Sequence, residues 1–210
     1  MAQVLKHEVR ERIVAAAARV FARQGAAAAT VSGIAAAAGV STGNLYRYFP
    51  TREALLAAVV PDALARRLAA LLTGKVRALS GVSDIARTGE RGPWRVASEE
   101  LLAFAIEHRH GVVILLGQGR AEGTSHERFA QRMVERLVTL ALGWAASVEP
   151  SLEVTQSARV ALARIYRNLL ETVSAILEST EDEAAIRDAV VSFSTYHLAG
   201  MKAFFRACRA

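Results

Sequence analysis

Very little in this chain would staple it, kink it or flatten it into sheet. One cysteine, Cys208, in 210 residues excludes an intramolecular disulfide framework. Four prolines leave room for long uninterrupted helices. Aromatics make up only 6% of the residues and no β-branched run stands out, which argues against an all-β fold. The most apolar stretches, 54–60, 112–116 and 138–142, are cut by charge, glycine or proline. They fall far short of the ~20 residues needed to span a bilayer. Lys6, His7 and Glu8 stand where a signal peptide would carry its apolar core, so the expected location is the cytoplasm, with no membrane partner.

What the chain does contain is alanine, 42 residues or one in five, within an apolar fraction of 52%. The best helix former at that frequency, with the worst one scarce, predicts an all-α protein. At 210 residues it is one domain or two small ones, with enough chain to bury a core without metals. The net charge of +6 is unevenly spread. Residues 1–67 hold nine Lys and Arg against four Asp and Glu, and residues 68–210 hold seventeen against sixteen. A basic first third fits an acidic partner, nucleic acid foremost.

Glycine and proline cut the chain into helix-sized pieces. A first helix is expected over 4–24, stopped by Gly25, with Ile13, Ala17, Val20 and Phe21 on one face. Short helices follow at 31–38, capped by Thr30 and ended by Gly39, and at 42–48, capped by Ser41 and closed before Pro50. Thr51 opens a longer helix over 52–78, which Pro61 should kink or split. The polar stretch 80–93 reads as a loop. Further helices are expected at 94–109, 112–120, 125–147, 153–179 and 182–207, broken at Gly111, Gly123 and Pro150.

The segment 30–52, TVSGIAAAAGVSTGNLYRYFPTR, has the layout of a helix-turn-helix. Ala35 is small where two helices cross, and Gly39 supplies the positive φ of a tight turn. Ile34, Val40 and Leu45 are apolar where the unit must pack on the first helix. Thr42, Gly43, Asn44, Tyr46, Arg47 and Tyr48 are left facing outward or sideways, where side chains reach base edges and phosphates.

Those residues, with Ala38, Phe49, Arg52, Glu53 and Leu55, resemble the signature of the tetracycline-repressor (TetR) family over about residues 9–56. The resemblance implies an N-terminal three-helix DNA-binding domain, placed here at 1–51. It also implies a divergent helical domain at 52–210 that binds small molecules and dimerises. By resemblance, Tyr46 and Thr30 contact phosphate. Arg52 does the same where the family usually has Lys. Ser41 and Gly43 belong to the same DNA-facing set, and Thr42, Asn44 and Arg47 are the base readers. Arg47 suits guanine, and Asn44 could equally hold a phosphate. Pro50 departs from the family pattern.

The remainder shows no catalytic constellation. His108 and His110 are two apart and diverge on a helix, a poor ligand spacing. Ser125-His126-Glu127 is contiguous rather than a triad, and Gly117-Gln118-Gly119 follows no strand. No cofactor or metal is expected. A pocket for a small apolar or amphipathic effector follows by resemblance. Its candidates are Trp94, Phe104, His108, Gln118, Phe129, Met133, Trp144, Tyr166 and Asn168. For each of these, core packing is the alternative. The last two helices carry the longest apolar periodicity and are the expected homodimer interface, through Leu162, Ile165, Leu169, Val190, Ser194, His197, Met201, Phe204 and Phe205, with packing inside their own chain as the alternative. The reading is a homodimeric repressor released from a palindromic double-stranded DNA operator by a small molecule. A DNA-binding regulator without such a ligand, and a small all-α enzyme, stay open as alternatives.

Overall fold

The computed structural model describes residues 2–80 and 92–208, with side chains from Lys6 onward. Among them the regular structure is α-helix alone. Ten helices run in order: α1 Ala2–Gln24, α2 Val31–Ala38, α3 Thr42–Tyr48, α4 Arg52–Val59, α5 Asp62–Arg77, α6 Pro93–Glu107, α7 Arg109–Leu116, α8 Phe129–Val148, α9 Gln156–Ser179 and α10 Glu183–Ala207. None of the described helices is long and apolar enough to cross a membrane.

Alanine is concentrated where helices must approach closely. Ile13, Ala16, Ala17, Val20 and Phe21 of α1 are buried, and so are Ile34, Ala35 and Ala38 of α2, the helix it crosses. Leu45 of α3, Phe49 and Leu55 of α4 complete this N-terminal head. In the helical body behind it, α7 is apolar on every side, and all six residues from Gly111 to Leu116 are buried. A helix without a polar face belongs inside, and α1, α5, α6, α8 and α9 pack around it. Head and body therefore share one continuous apolar core.

Several boundaries differ from the sequence expectation, each for a local reason. Pro61 splits 52–78 rather than bending it. Its missing N–H ends α4 at Val59, and it stands in extended backbone (φ −66°, ψ 150°) ahead of α5. The break expected at Gly111 falls at His108 instead. Gly111 lies inside α7, where a Cβ would meet Leu64 Cδ1 at 3.1 Å. Its lack of a side chain serves close packing on α5. The helix expected to run to 120 stops at Leu116, and 117–128 is a series of turns with Gly119 and Gly123 at positive φ. Thr124 caps one of those turns, accepting from His126 N at 3.0 Å, so α8 begins at Phe129 rather than 125. Thr155 caps α9 from Ala158 N and Asp182 caps α10 from Ala184 N. Both starts therefore fall later than expected. Of the loop expected at 80–93, residues 81–91 lie outside the described residues.

Candidate nucleic-acid interface

The turn between α2 and α3 is built by backbone chemistry. Gly39 adopts φ 64° and ψ 36°, a left-handed conformation that costs a residue with a Cβ about 1–2 kcal/mol. Its N–H donates to Ala36 O at 3.1 Å, and Val40 N donates to Ala35 O at 3.0 Å. The last carbonyls of α2 are thus satisfied as the chain reverses. Each of the three following helix starts has its own hydroxyl cap. Thr30 Oγ1 accepts from Gly33 N at 3.1 Å, Ser41 Oγ from Asn44 N at 3.1 Å and Thr51 Oγ1 from Ala54 N at 3.0 Å. Each such cap contributes ~0.5–2 kcal/mol.

With Leu45 buried beneath it, α3 turns its other faces outward. Thr30, Ser41, Thr42, Gly43, Tyr46 and Arg47 are exposed, and Asn44, Tyr48 and Arg52 are half-buried. Arg47 Nη2 donates to Asn44 Oδ1 at 2.7 Å and its guanidinium stands 5.7 Å from the Tyr48 ring centroid. This orients its fork while leaving other donors free. Arg10 covers the Phe49 ring at 5.2 Å. At the start of α4, the Arg52 side chain has Nε and Nη2 closed off from solvent with no hydrogen-bond partner in the structure. Beside it, Glu53 is held below the usual carboxylate range by its own backbone amide first and the Thr51 hydroxyl second. From Arg12 through Arg52 the sequence contains no Asp or Glu, so the turn and the reading helix present cations without neutralising acids.

Residues 13–59 match the family model of the bacterial regulatory proteins of the tetR family. Over 50 residues the chain is 44% identical to an uncharacterized HTH-type transcriptional regulator, YerO, of Bacillus subtilis (strain 168). That alignment covers 24% of this chain and 17% of the relative. Residues 13–59 therefore resemble the DNA-binding region of the tetR family of bacterial regulatory proteins, with α2 and α3 as its helix-turn-helix. The family match ends at Val59, the last residue of α4.

The body encloses a cavity of about 120 Å³, walled by α5, α6, α8, α9 and α10, with α7 at its inner side. Of the residues expected in a pocket, Trp94, Trp144 and Tyr166 line it. The other six do not. Phe104 and His108 pack edge-on at 4.6 Å outside it, Phe129 and Met133 are core, and Gln118 and Asn168 are exposed. Most of the residues expected at a dimer interface face the inside of their own chain, the packing that is the alternative for them. Leu169, Val190, Ser194, His197, Met201 and Phe205 line the cavity, Leu162 is fully buried, and Ile165 and Phe204 are half-buried. The apolar stripe of each long helix is used by its own chain. What α9 and α10 turn outward is Val160, Val191 and Tyr196, the last 73% exposed.

Sequence reasoning also passed over three residues that only long-range packing brings into play. Lys75 reaches the cavity with its Nζ 5.0 Å from the Trp94 ring centroid. Arg120 donates to Ala22 O at the end of α1 and to Glu178 Oε2 at 2.5 Å on α9, and its own carbonyl accepts from Ala26 N at 2.7 Å. His126 is buried, with Nε2 3.1 Å from Val60 O and 3.5 Å from Asp62 Oδ1. A carbonyl only accepts, so Nε2 carries the proton and satisfies the Val60 oxygen, whose helical donor Leu64 N bonds Pro61 O instead. No local spacing marks any of the three. Among the described residues no group of three His, Cys, Asp or Glu side chains is placed to hold a metal ion.

Proposed function

We propose that this protein is a homodimeric, cytoplasmic repressor of the tetR family that binds a pseudo-palindromic double-stranded DNA operator and leaves it when a small apolar or amphipathic molecule fills the cavity. The observation that carries the DNA-binding part is Arg52. Two of its guanidinium nitrogens, Nε and Nη2, have no acceptor among the described residues, and an unpaired buried donor is costly. A swing of this half-buried side chain toward DNA would give these nitrogens a phosphate oxygen as acceptor, in a charge-assisted bond. On the same reading, Tyr46 and Thr30 hold flanking phosphates, and Ser41 and Gly43 let the backbone approach. Thr42, Asn44 and Arg47 read base edges, with Tyr48 steadying Arg47. Residues 1–51 form the reading part and 52–210 the effector and dimerisation part.

Dimerisation is assigned to the outward faces of α9 and α10, where Val160, Val191 and Tyr196 lie exposed. A twofold mate there makes a four-helix bundle. It also sets two recognition helices about one DNA turn, ~34–36 Å, apart.

The route from cavity to DNA runs through α5. Leu68, Leu72 and Lys75 of α5 line the cavity, and the helix joins α4 at the Pro61 break, where the Val60 carbonyl is held by His126. A ligand that shifts α5 moves α4 and, with it, Arg52. Arg120 ties the end of α1 to α9, a second wall of the cavity. A coupling of ~1–3 kcal/mol would change operator affinity 5–150-fold.

Footprinting on DNA flanking the protein's own gene identifies the operator, and Tyr46→Ala tests the assignment. Operator binding should be lost while the oligomeric state is kept. Undiminished affinity in the folded variant overturns the reading. Tyr196→Glu should yield monomers in sedimentation velocity. A dimer that survives it places the interface elsewhere.

A further inference from the structure

The cavity sorts ligands by charge. Among the described residues that line it, the polar side chains are Lys75, Ser98, Tyr166, Ser194 and His197 with the indoles of Trp94 and Trp144, and none is an acid. Ser98 spends its hydroxyl on Trp94 O of its own helix at 2.7 Å. Tyr166 is 5% exposed, yet its hydroxyl makes no hydrogen bond among the described residues, and neither does that of Ser194. The Lys75 ammonium leans on the face of Trp94, and no carboxylate of the described residues lies within 4 Å of it. His197 stands against Tyr166 with ring centroids 5.9 Å apart. One ammonium and several proton donors therefore converge in an apolar space with no negatively charged side chain among the described residues that line it.

Resting on the reading of this cavity as an effector site, we infer that it takes a small apolar carboxylate, its acid group at Lys75 and its ring or chain against Trp144 and Phe205. The size limit comes from the volume, because a dry cavity of ~150 Å³ is one that holds a benzene ring. A single cation in apolar walls matches a monoanion, since a dianionic phosphate would carry uncompensated charge into the interior. An amine ligand meets an ammonium and no acid. Burial holds Lys75 at about 8 and, with the Lys75 charge, holds His197 at about 4. Near pH 7 the lysine is therefore mostly charged and the imidazole neutral. Burial also pushes the Tyr166 hydroxyl up, keeping it a donor.

Calorimetric titration of the full chain tests this with benzoate, 4-isopropylbenzoate and octanoate, each set against its own primary amide and the corresponding primary amine. The expected result is that one acid or more binds at least tenfold tighter than its amide and that the amines do not bind. Lys75→Met and Lys75→Gln should each lower acid affinity at least tenfold and so abolish the preference. The inference is overturned if amides match acids on the unaltered protein, if the acid preference survives both substitutions, or if none of the acids binds. Operator release is read separately by gel shift. An acid that binds without releasing DNA overturns the repressor mechanism and leaves this inference standing. Release by neutral compounds with no acid preference does the reverse.

Discussion

Arg52 in the head and Lys75 in the body are both partly desolvated cations with no carboxylate hydrogen-bonded to them among the described residues, but their settings differ. Arg52 opens α4 at the edge of an acid-free surface, next to an exposed reading helix. Lys75 looks into an apolar cavity of the helical body. Neither arrangement helps folding, because burying an unpaired charge costs free energy. Both make sense as binding groups whose counter-charge comes from outside, a polymer with one charge per phosphate in one case and a single small molecule in the other. The two regions also differ in how they are held. The head relies on caps, a left-handed glycine and alanine contacts close in sequence. The body relies on pairings far apart in sequence.

That contrast can be broken at its foundation by Leu45→Ala, which removes the side chain on which α3 rests. The expected cost is ~2–5 kcal/mol. Hydrogen exchange should show lost protection across 31–49 and preserved protection in α9 and α10. Protection lost equally everywhere would mean that head and body unfold as one unit.

Arg52→Gln should weaken operator binding about tenfold, or ~1.4 kcal/mol. It should lower the slope of log affinity against log salt by about one phosphate contact. Because it removes an unpaired cation, its melting temperature should equal or exceed that of the unaltered protein. A clear drop in melting temperature would reveal a structural partner for Arg52 and undo the comparison with Lys75.

Two glycines separate folding from reading. Gly39→Ala meets no neighbour within 4 Å, so its cost is the left-handed backbone alone, ~1–2 kcal/mol. Gly43, helical and equally uncrowded, should gain ~0.5–1 kcal/mol as Ala while losing operator affinity. Urea titration and gel shift on the pair check both signs.

The last effect expected is in the body and depends on pH. His197 falls from an ordinary value of 6.5 to about 4 in the folded chain, through burial and then the Lys75 charge. Between those values the unfolded chain binds more protons, so stability falls as pH drops from about 6.5 to 4 and is unaffected by this group above that window. His197→Phe should flatten the decline in urea midpoint between pH 6.5 and 4.5. An unchanged slope would show that the imidazole is charged in the fold.

The N-terminal third was readable because its chemistry is local. Thr30, Ser41, Gly39, Ala35 and Leu45 act within a few residues of themselves, through caps, a turn and one buried contact, so their spacing along the chain already specifies the helix-turn-helix. Fold class was readable for a similar reason, since helix propensity is a sum over single residues. The body was not. Periodicity identified an apolar stripe on α9 and α10 but could not say whether it met a twofold mate or its own chain, because both partners are equally greasy. Folding turned that stripe inward around a cavity and left Val160, Val191 and Tyr196 outside. Lys75 beside His197, Arg120 on Ala22 and Glu178, and His126 on Val60 join residues tens of positions apart. Such contacts depend on the free energy of the whole packed core, and no window of sequence contains them.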